Sequence, residues 1–142
     1  MPTIDFLDSP PGTGDVHLSI CQQVPVDGAL VISTPQDVAL LDATKGIEMF
    51  RNVNVPVLGL VQNMSFFTCP KCNETTHVFG RDGVERKAKD LNVDVLADVP
   101  LHQDVCTTSD SGTPITISQP DSVHAKVYMN LAAKVLEKLN KS

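Results

Sequence analysis

Basic side chains are scarce in this chain: 11 lysines and arginines stand against 17 aspartates and glutamates, a formal charge of −6. Nucleic-acid phosphates demand a basic face, and no Lys/Arg cluster supplies one, so no nucleic-acid partner is expected. Long apolar runs are missing as well. The longest, Gly28 to Thr34 and Val55 to Val61, fall far short of the ~20 residues a membrane helix needs, so the reading is a soluble chain with no membrane span. There are only four cysteines, and Cys21 and Cys106 stand far from the other two and from each other. That is not the dense framework of a small secreted domain; it points to a reducing compartment, with Cys21 and Cys106 as small, partly buried side chains. The opening Met1-Pro2-Thr3-Ile4-Asp5 has neither a basic region nor a long apolar stretch and reads as neither signal nor transit peptide. No repeat, low-complexity tract or linker divides the chain, so residues 1–142 read as a single domain.

What is present is ordinary globular material, 42% hydrophobic and 20% charged, in a chain long enough to bury a core. Near-continuous apolar segments read as parallel strands buried on both faces: Ala29–Ser33, Val57–Val61 and a further one over Val93–Val99. A shorter strand is expected over Thr3–Leu7. Between them lie helical spacings. Asp15 is placed to cap a helix over Val16–Gln23 with Val16, Ile20 and Leu18 inward; Gln36–Val53 carries a stripe of Val38, Leu41, Ile47 and Phe50, with Lys45 and Arg51 as solvated charges. Gly83–Leu91 offers Val84, Ala88 and Leu91, and a last helix over Ser122–Leu139 offers Val127, Leu131, Val135 and Leu139. Leu101–Gly112 reads as turns and Pro114–Ser118 as an extended or edge segment. Alternating strands and helices of this kind define an α/β fold, a mostly parallel sheet flanked by helices.

Three loops carry candidate chemistry. Asp8-Ser9-Pro10-Pro11-Gly12-Thr13-Gly14-Asp15 follows the first expected strand, and its glycines would let backbone N–H groups approach a phosphate; Pro-Pro-Gly is equally the composition of a plain turn. Asn63, at the end of an expected strand, offers an amide that could read a base edge or simply form a turn. Cys69-Pro70-Lys71-Cys72 brings two thiols close enough to grip one metal centre from one side, yet two ligands cannot close a four-ligand site. Four readings of that pair stand open: half of an iron-sulfur site, half of a zinc site with His77 as third ligand, a redox dithiol, or two unrelated surface thiols. Ligands of open parallel sheets gather at the carboxyl ends of strands, so the three loops are expected to share one face. His17, His102 and His124 have no neighbouring ligand set in sequence and read as surface or satisfied side chains.

Taken as a set and in order, Asp8 to Asp15, Ser33-Thr34-Pro35-Gln36-Asp37, Gly59-Leu60-Val61-Gln62-Asn63-Met64-Ser65, the cysteine pair, Val78-Phe79-Gly80 and Asp98-Val99-Pro100-Leu101 resemble the Mrp/NUBPL family of iron-sulfur cluster carriers, which sits among the ParA/MinD-like P-loop ATPases. The wording around the cysteines is most similar to the mitochondrial NUBPL branch, which serves assembly of respiratory complex I. The resemblance implies a partial P-loop NTPase fold of the SIMIBI type and Cys69 and Cys72 as cluster ligands. Two chains would then form a homodimer through this loop, supplying four thiolates to one [4Fe-4S] cluster for delivery to recipient apo-proteins. It also implies Asp8, Pro11, Gly12, Thr13 and Gly14 near the terminal phosphate of ATP and its Mg2+, Asn63 at the adenine, and a mitochondrial matrix setting, with the cytoplasm as alternative.

One departure bears on mechanism. No G-x-x-x-x-G-K-[ST] occurs anywhere in the sequence, and Lys45-Gly46 is no substitute because no glycine cradle precedes it. The resemblance therefore reads as a carboxyl-terminal half of the family's domain, with negligible ATP hydrolysis expected of this chain alone. An upstream segment or a partner supplying the lysine loop would restore the enzyme reading. Uncovered apolar faces and an open sheet edge are expected to favour association.

Overall fold

The computed structural model describes residues 3–141. Its centre is a three-stranded parallel sheet in the order β1-β2-β5, built from β1 (Ala29–Ser33), β2 (Val57–Gln62) and β5 (Val95–Asp98). Parallel neighbours need crossover connections, and α2 (Asp37–Asn52) and α3 (Gly83–Leu91) provide them. Both lie on one face of the sheet, where Leu40, Ala43, Ile47, Leu60, Val84 and Ala88 form the larger core cluster. The other face is covered by α6 (Val123–Asn140), whose Val135, with Leu131 and Leu139 beside it, packs on Leu58 and Leu96. Lys134 of α6 donates to the Leu96 carbonyl at 2.7 Å, and Lys138 pairs with Asp94 and holds that carboxylate below its ordinary range.

The α/β class, the parallel sheet, α3 and the packing stripe of α6 agree with the sequence reading. Other expectations do not. Residues 3–14 carry no strand, and Phe6 and Leu7 are 76% and 60% exposed: a strand exists only where a neighbour takes its backbone hydrogen bonds, and none of the described strands lies beside Thr3–Leu7. The first helix, α1, runs Asp15–Gln23 with Gly14 in the capping position and no side-chain cap, and it buries His17 in place of Val16. In α2 the buried residues are Leu40, Ala43, Ile47 and Met49, while Val38 and Leu41 face solvent. Apolar spacing identified the helix but not its rotation, because the face that packs is set by what lies opposite. Arg51 is not merely solvated, since its Nη2 donates to the Leu91 carbonyl and ties α2 to the end of α3.

β1 is an edge strand rather than one buried on both faces. Leu30 reaches the α6 side of the core, but Ile32 on that same side is left 60% exposed. β5 is shorter than the expected Val93–Val99. After it, the residues read as turns and extended chain are helical, α4 (Gln103–Asp110) and the single turn α5 (Ile115–Ser118). The signal for α4 was hidden in its polar composition. His102 caps it, Nδ1 accepting from the Asp104 N–H at 3.2 Å, and Thr107, Thr108 and Ser109 return their hydroxyls to carbonyls one turn back. His102 also stacks on His124 of α6 with ring centroids 3.8 Å apart, and burial followed by that neighbour pushes the His124 imidazole below its ordinary value. Among the described residues no helix is long and apolar enough to cross a membrane.

Leu60 is 0% exposed in the central strand and Leu41 is 59% exposed on a helix that the periodicity alone would have buried. Leu60→Ala should therefore cost about 2–5 kcal/mol of stability and Leu41→Ala within about 0.5 kcal/mol, measured by urea denaturation of the two variants against the parent.

Candidate metal-binding hairpin and its anchorage

β2 delivers the chain to the site. After Gln62 the backbone turns through Asn63 and Met64, the latter at φ 52°, and then forms a small antiparallel hairpin, β3 (Phe67–Thr68) and β4 (Thr75–Thr76), with the cysteines in its loop. The loop is closed by two backbone bonds, Cys69 N–H to the Glu74 carbonyl at 2.9 Å and Asn73 N–H to the Cys69 carbonyl at 2.8 Å. Asn73 takes the left-handed conformation (φ 59°) that lets the chain turn back after Cys72. Cys69 is half-buried, Cys72 is exposed, and both are free thiols.

This fold of the loop aims donors at sulfur. The Cys72 backbone N–H, then that of Lys71, then the Cys72 side chain interact with Cys69 and hold its thiol below its ordinary value. Backbone N–H groups directed at a sulfur favour the thiolate, which is the metal-ligating form. A pair of this kind can offer two thiolates to one soft metal centre.

The base of the hairpin is anchored by groups that sequence reasoning passed over. Gln62 and Ser65 are 7% and 2% exposed. Gln62 Nε2 donates to Ser65 Oγ at 2.7 Å and to Asp98 Oδ1 at 2.6 Å, and Ser65 Oγ donates to the same carboxylate oxygen at 3.3 Å. Ser65 N–H bonds the Val99 carbonyl at 2.9 Å, Leu101 N–H bonds the Phe66 carbonyl at 2.8 Å, and His77 Nδ1 lies 3.2 Å from the Ser65 carbonyl. Both ends of the hairpin are therefore fixed to the carboxyl edge of the sheet. The only available sequence signal was polarity at the end of an otherwise apolar strand.

The remaining candidate residues fare differently. Asn63 does lie at the carboxyl end of β2, its N–H bonded to the Ser33 carbonyl at 2.8 Å and its Oδ1 accepting from Met64 N–H at 3.0 Å. That second bond is the turn-forming use of an asparagine. Asp8, Pro11, Gly12, Thr13 and Gly14 are all exposed, with Gly12 at φ 111°. They do not follow a paired strand, and among the described residues no hydrogen bond joins this loop to Asn63 or to the cysteines. What ties the loop down is His17, whose Nε2 lies 2.8 Å from the Pro10 carbonyl. His77 does not complete a ligand set: no group of three His, Cys, Asp or Glu side chains able to hold a metal occurs among the described residues. Nor do the cysteines sit at the start of a helix, where a thioredoxin-like dithiol would be.

A parallel sheet with helices on both faces and its site at the strand ends is the layout of a partial P-loop NTPase of the MinD-like kind. The chain belongs to the NUBPL iron-transfer P-loop NTPase family (ParA), whose description matches residues 3–136. It is 57% identical over 141 residues to the mouse iron-sulfur cluster transfer protein NUBPL, covering 98% of this chain and 44% of the relative. It is 46% identical over 140 residues to the Escherichia coli K12 iron-sulfur cluster carrier protein, covering 97% and 38%. Against an Arabidopsis thaliana relative, described as an iron-sulfur protein required for NADH dehydrogenase, mitochondrial, the identity is 47% over 133 residues, covering 94% and 42%. The chain thus spans less than half the length of these relatives. Among solved structures, a nucleotide-binding protein from Archaeoglobus fulgidus in complex with ADP superposes with TM-score 0.67 at 33% identity, over 80% of this chain and 45% of that one. Pyrococcus furiosus MinD superposes with TM-score 0.62 at 21% identity, over 78% and 43%, a likeness of fold.

The lowered Cys69 thiol has a readable consequence. Under anaerobic reducing conditions the pH midpoint of its alkylation by iodoacetamide should lie below the ~8.5 of a free cysteine, and replacing Cys72 by Ala should move that midpoint upward. Mass-spectrometric rates at each cysteine across pH check both; a Cys69 midpoint at or above ~8.5 contradicts the loop geometry.

Proposed function

We propose that this chain carries an iron-sulfur cluster as cargo, held between two copies by Cys69 and Cys72 of each, and passes it to recipient apo-proteins. The observation that carries the reading is the hairpin itself: two thiols on one tight, anchored loop, one with backbone N–H groups turned toward its sulfur, and no third ligand group among the described residues. A site with two ligands on one chain is completed most simply by the same two ligands on a twofold-related chain, and four thiolates suit a [4Fe-4S] cluster. An exposed loop also lets a recipient's thiols reach the cluster without the carrier unfolding. Relatives named as iron-sulfur cluster transfer and carrier proteins support this use of the site. The Arabidopsis relative's description supports service to NADH dehydrogenase and a mitochondrial setting.

Nucleotide is a separate matter. The ADP-bound structural relative supports nucleotide binding by the fold, and in that reading Asp8, Pro11, Gly12, Thr13 and Gly14 would face the phosphates and Asn63 the base. The residues present do not fit such a role unaided. No lysine-bearing glycine loop occurs in the sequence, and the Asp8–Gly14 segment is exposed and not seated on the sheet. Phosphoryl transfer depends on positioning and charge neutralisation by that loop, so no hydrolytic step is derived for this chain; the residues would supply one side of a site completed by a longer chain or a partner.

Two measurements test these readings. Anaerobic reconstitution with iron and sulfide should give a brown dimer with Mössbauer parameters of a [4Fe-4S] centre, and Cys69→Ser or Cys72→Ser should each abolish iron uptake; a colourless zinc-loaded protein, or a monomer holding the full iron content, overturns the carrier reading. Calorimetric titration with Mg-ATP should show no binding in the micromolar range and no phosphate release, and micromolar affinity for the isolated chain would contradict the argument from the missing loop.

A further inference from the structure

Two imidazoles meet where two helices start. His102 caps α4 and His124 is the second residue of α6, and their rings stack with centroids 3.8 Å apart and planes 29° apart. The geometry of the pair suits uncharged rings. His102 Nδ1 accepts from the Asp104 N–H at 3.2 Å, so this nitrogen must keep its lone pair and the proton must sit on Nε2. His124 Nδ1 is buried with no hydrogen-bond partner among the described residues. An imidazolium carries a proton on both nitrogens, so charging His102 removes the cap of α4, and charging His124 places an N–H donor where no acceptor stands. Both rings also lie at helix amino ends, where the partial charge is positive and a cation is disfavoured. Neighbouring charges do not reverse this. Asp104 Oδ2 lies 3.9 Å from His102 Nδ1 and favours charge, but at His124 burial and the facing His102 outweigh it and hold the imidazole below its ordinary value. α5, packed against both helices, carries no ionisable side chain, and Tyr128, one turn on in α6, stays neutral with its hydroxyl pushed up by burial. Asp121 and Lys126 are exposed, and Asp98 on β5 is engaged by Gln62 and Ser65.

We propose that the His102–His124 stack is an acid-released latch: with both rings neutral it holds the start of α4 against α6, and on protonation it lets α4 go. The residue before the cap is Leu101, whose N–H bonds the Phe66 carbonyl at 2.8 Å, so release at His102 frees one of the bonds that anchor the root of the cysteine hairpin. The direction follows from linkage. A closed state that disfavours the imidazolium binds the proton more weakly than the open state does. The latch therefore holds fully above the ~6.5 of a free imidazole and loses its hold as pH falls below that value. It uses neither cysteine, and it stands or falls apart from the carrier reading.

Nuclear magnetic resonance of the metal-free chain, titrated from about pH 8 to about pH 5, tests the latch. The ring signals of His124 should titrate below the ~6.5 of a free imidazole. As they do, the Cα shifts of Gln103–Asp110 should move from helical toward coil values, and the Leu101 amide should lose its hydrogen-bonded shift. His102→Asn keeps a capping side chain and His124→Phe keeps a stacked ring, and neither replacement takes up a proton. Each should reduce the loss of α4 on acidification, and in the double variant α4 should stay helical to the acid end of the range. Both variants retain His17 and His77, so a pH response lost in them belongs to the stack. A His124 that titrates at or above ~6.5 overturns the proposal. So does an α4 that stays helical across the range in the parent chain, or one that is lost equally in the parent and the double variant.

Discussion

The molecule depends on one strand. β2 is the central member of its sheet, bonded to β1 on one side and β5 on the other, and from Leu58 to Gln62 every residue is buried. A strand in that position has no unpaired backbone and no free face, so its end is a fixed point in the protein. Gln62 uses that fixity. By donating to both Ser65 and Asp98 it joins the end of β2 to the end of β5 and to the first residues of the hairpin, while its own Oε1 is buried with no hydrogen-bond partner among the described residues. The cysteine loop itself is largely exposed, and its root is hydrogen-bonded to the ends of the two strands at the centre of the fold.

That division of labour suits the cluster-carrying role proposed above. Thiols that must accept a cluster and give it up cannot be buried, yet they must keep the spacing that lets two of them share one centre. The hairpin meets the first demand through exposure and the second through its closing hydrogen bonds and the N–H groups directed at Cys69. The acidic chain as a whole offers no basic face to polyanions.

The opposite end of the sequence shows what happens without such anchoring. Thr3–Leu7 has the composition of a strand, and the loop after it has the glycines of a phosphate loop, but neither is seated, because β1 presents an open edge and the segment is not paired to it. Phe6, Leu7, Ile32, Val38 and Leu41 are all exposed.

The sequence by itself determined the class of fold, because apolar runs too short for membranes and alternating with helical stripes can bury their surface in few ways other than a parallel sheet with helices on its faces. It also narrowed the chemistry of the cysteine pair to a few uses, and the motifs around it pointed to the family that the chain belongs to. Only tertiary structure decided which side of each helix is inside: Leu40 rather than Leu41 is buried in α2, and a helix lies where His102 to Asp110 read as turns, because capping and rotation are settled by neighbours far away in sequence. It alone decided that Thr3–Leu7 is no strand, that β1 is an edge, and that Gln62, Ser65 and Asp98 meet, for these are pairings between distant segments. A local pattern states what a segment is able to do; which partner completes its hydrogen bonds and covers its apolar face is a property of the assembled chain.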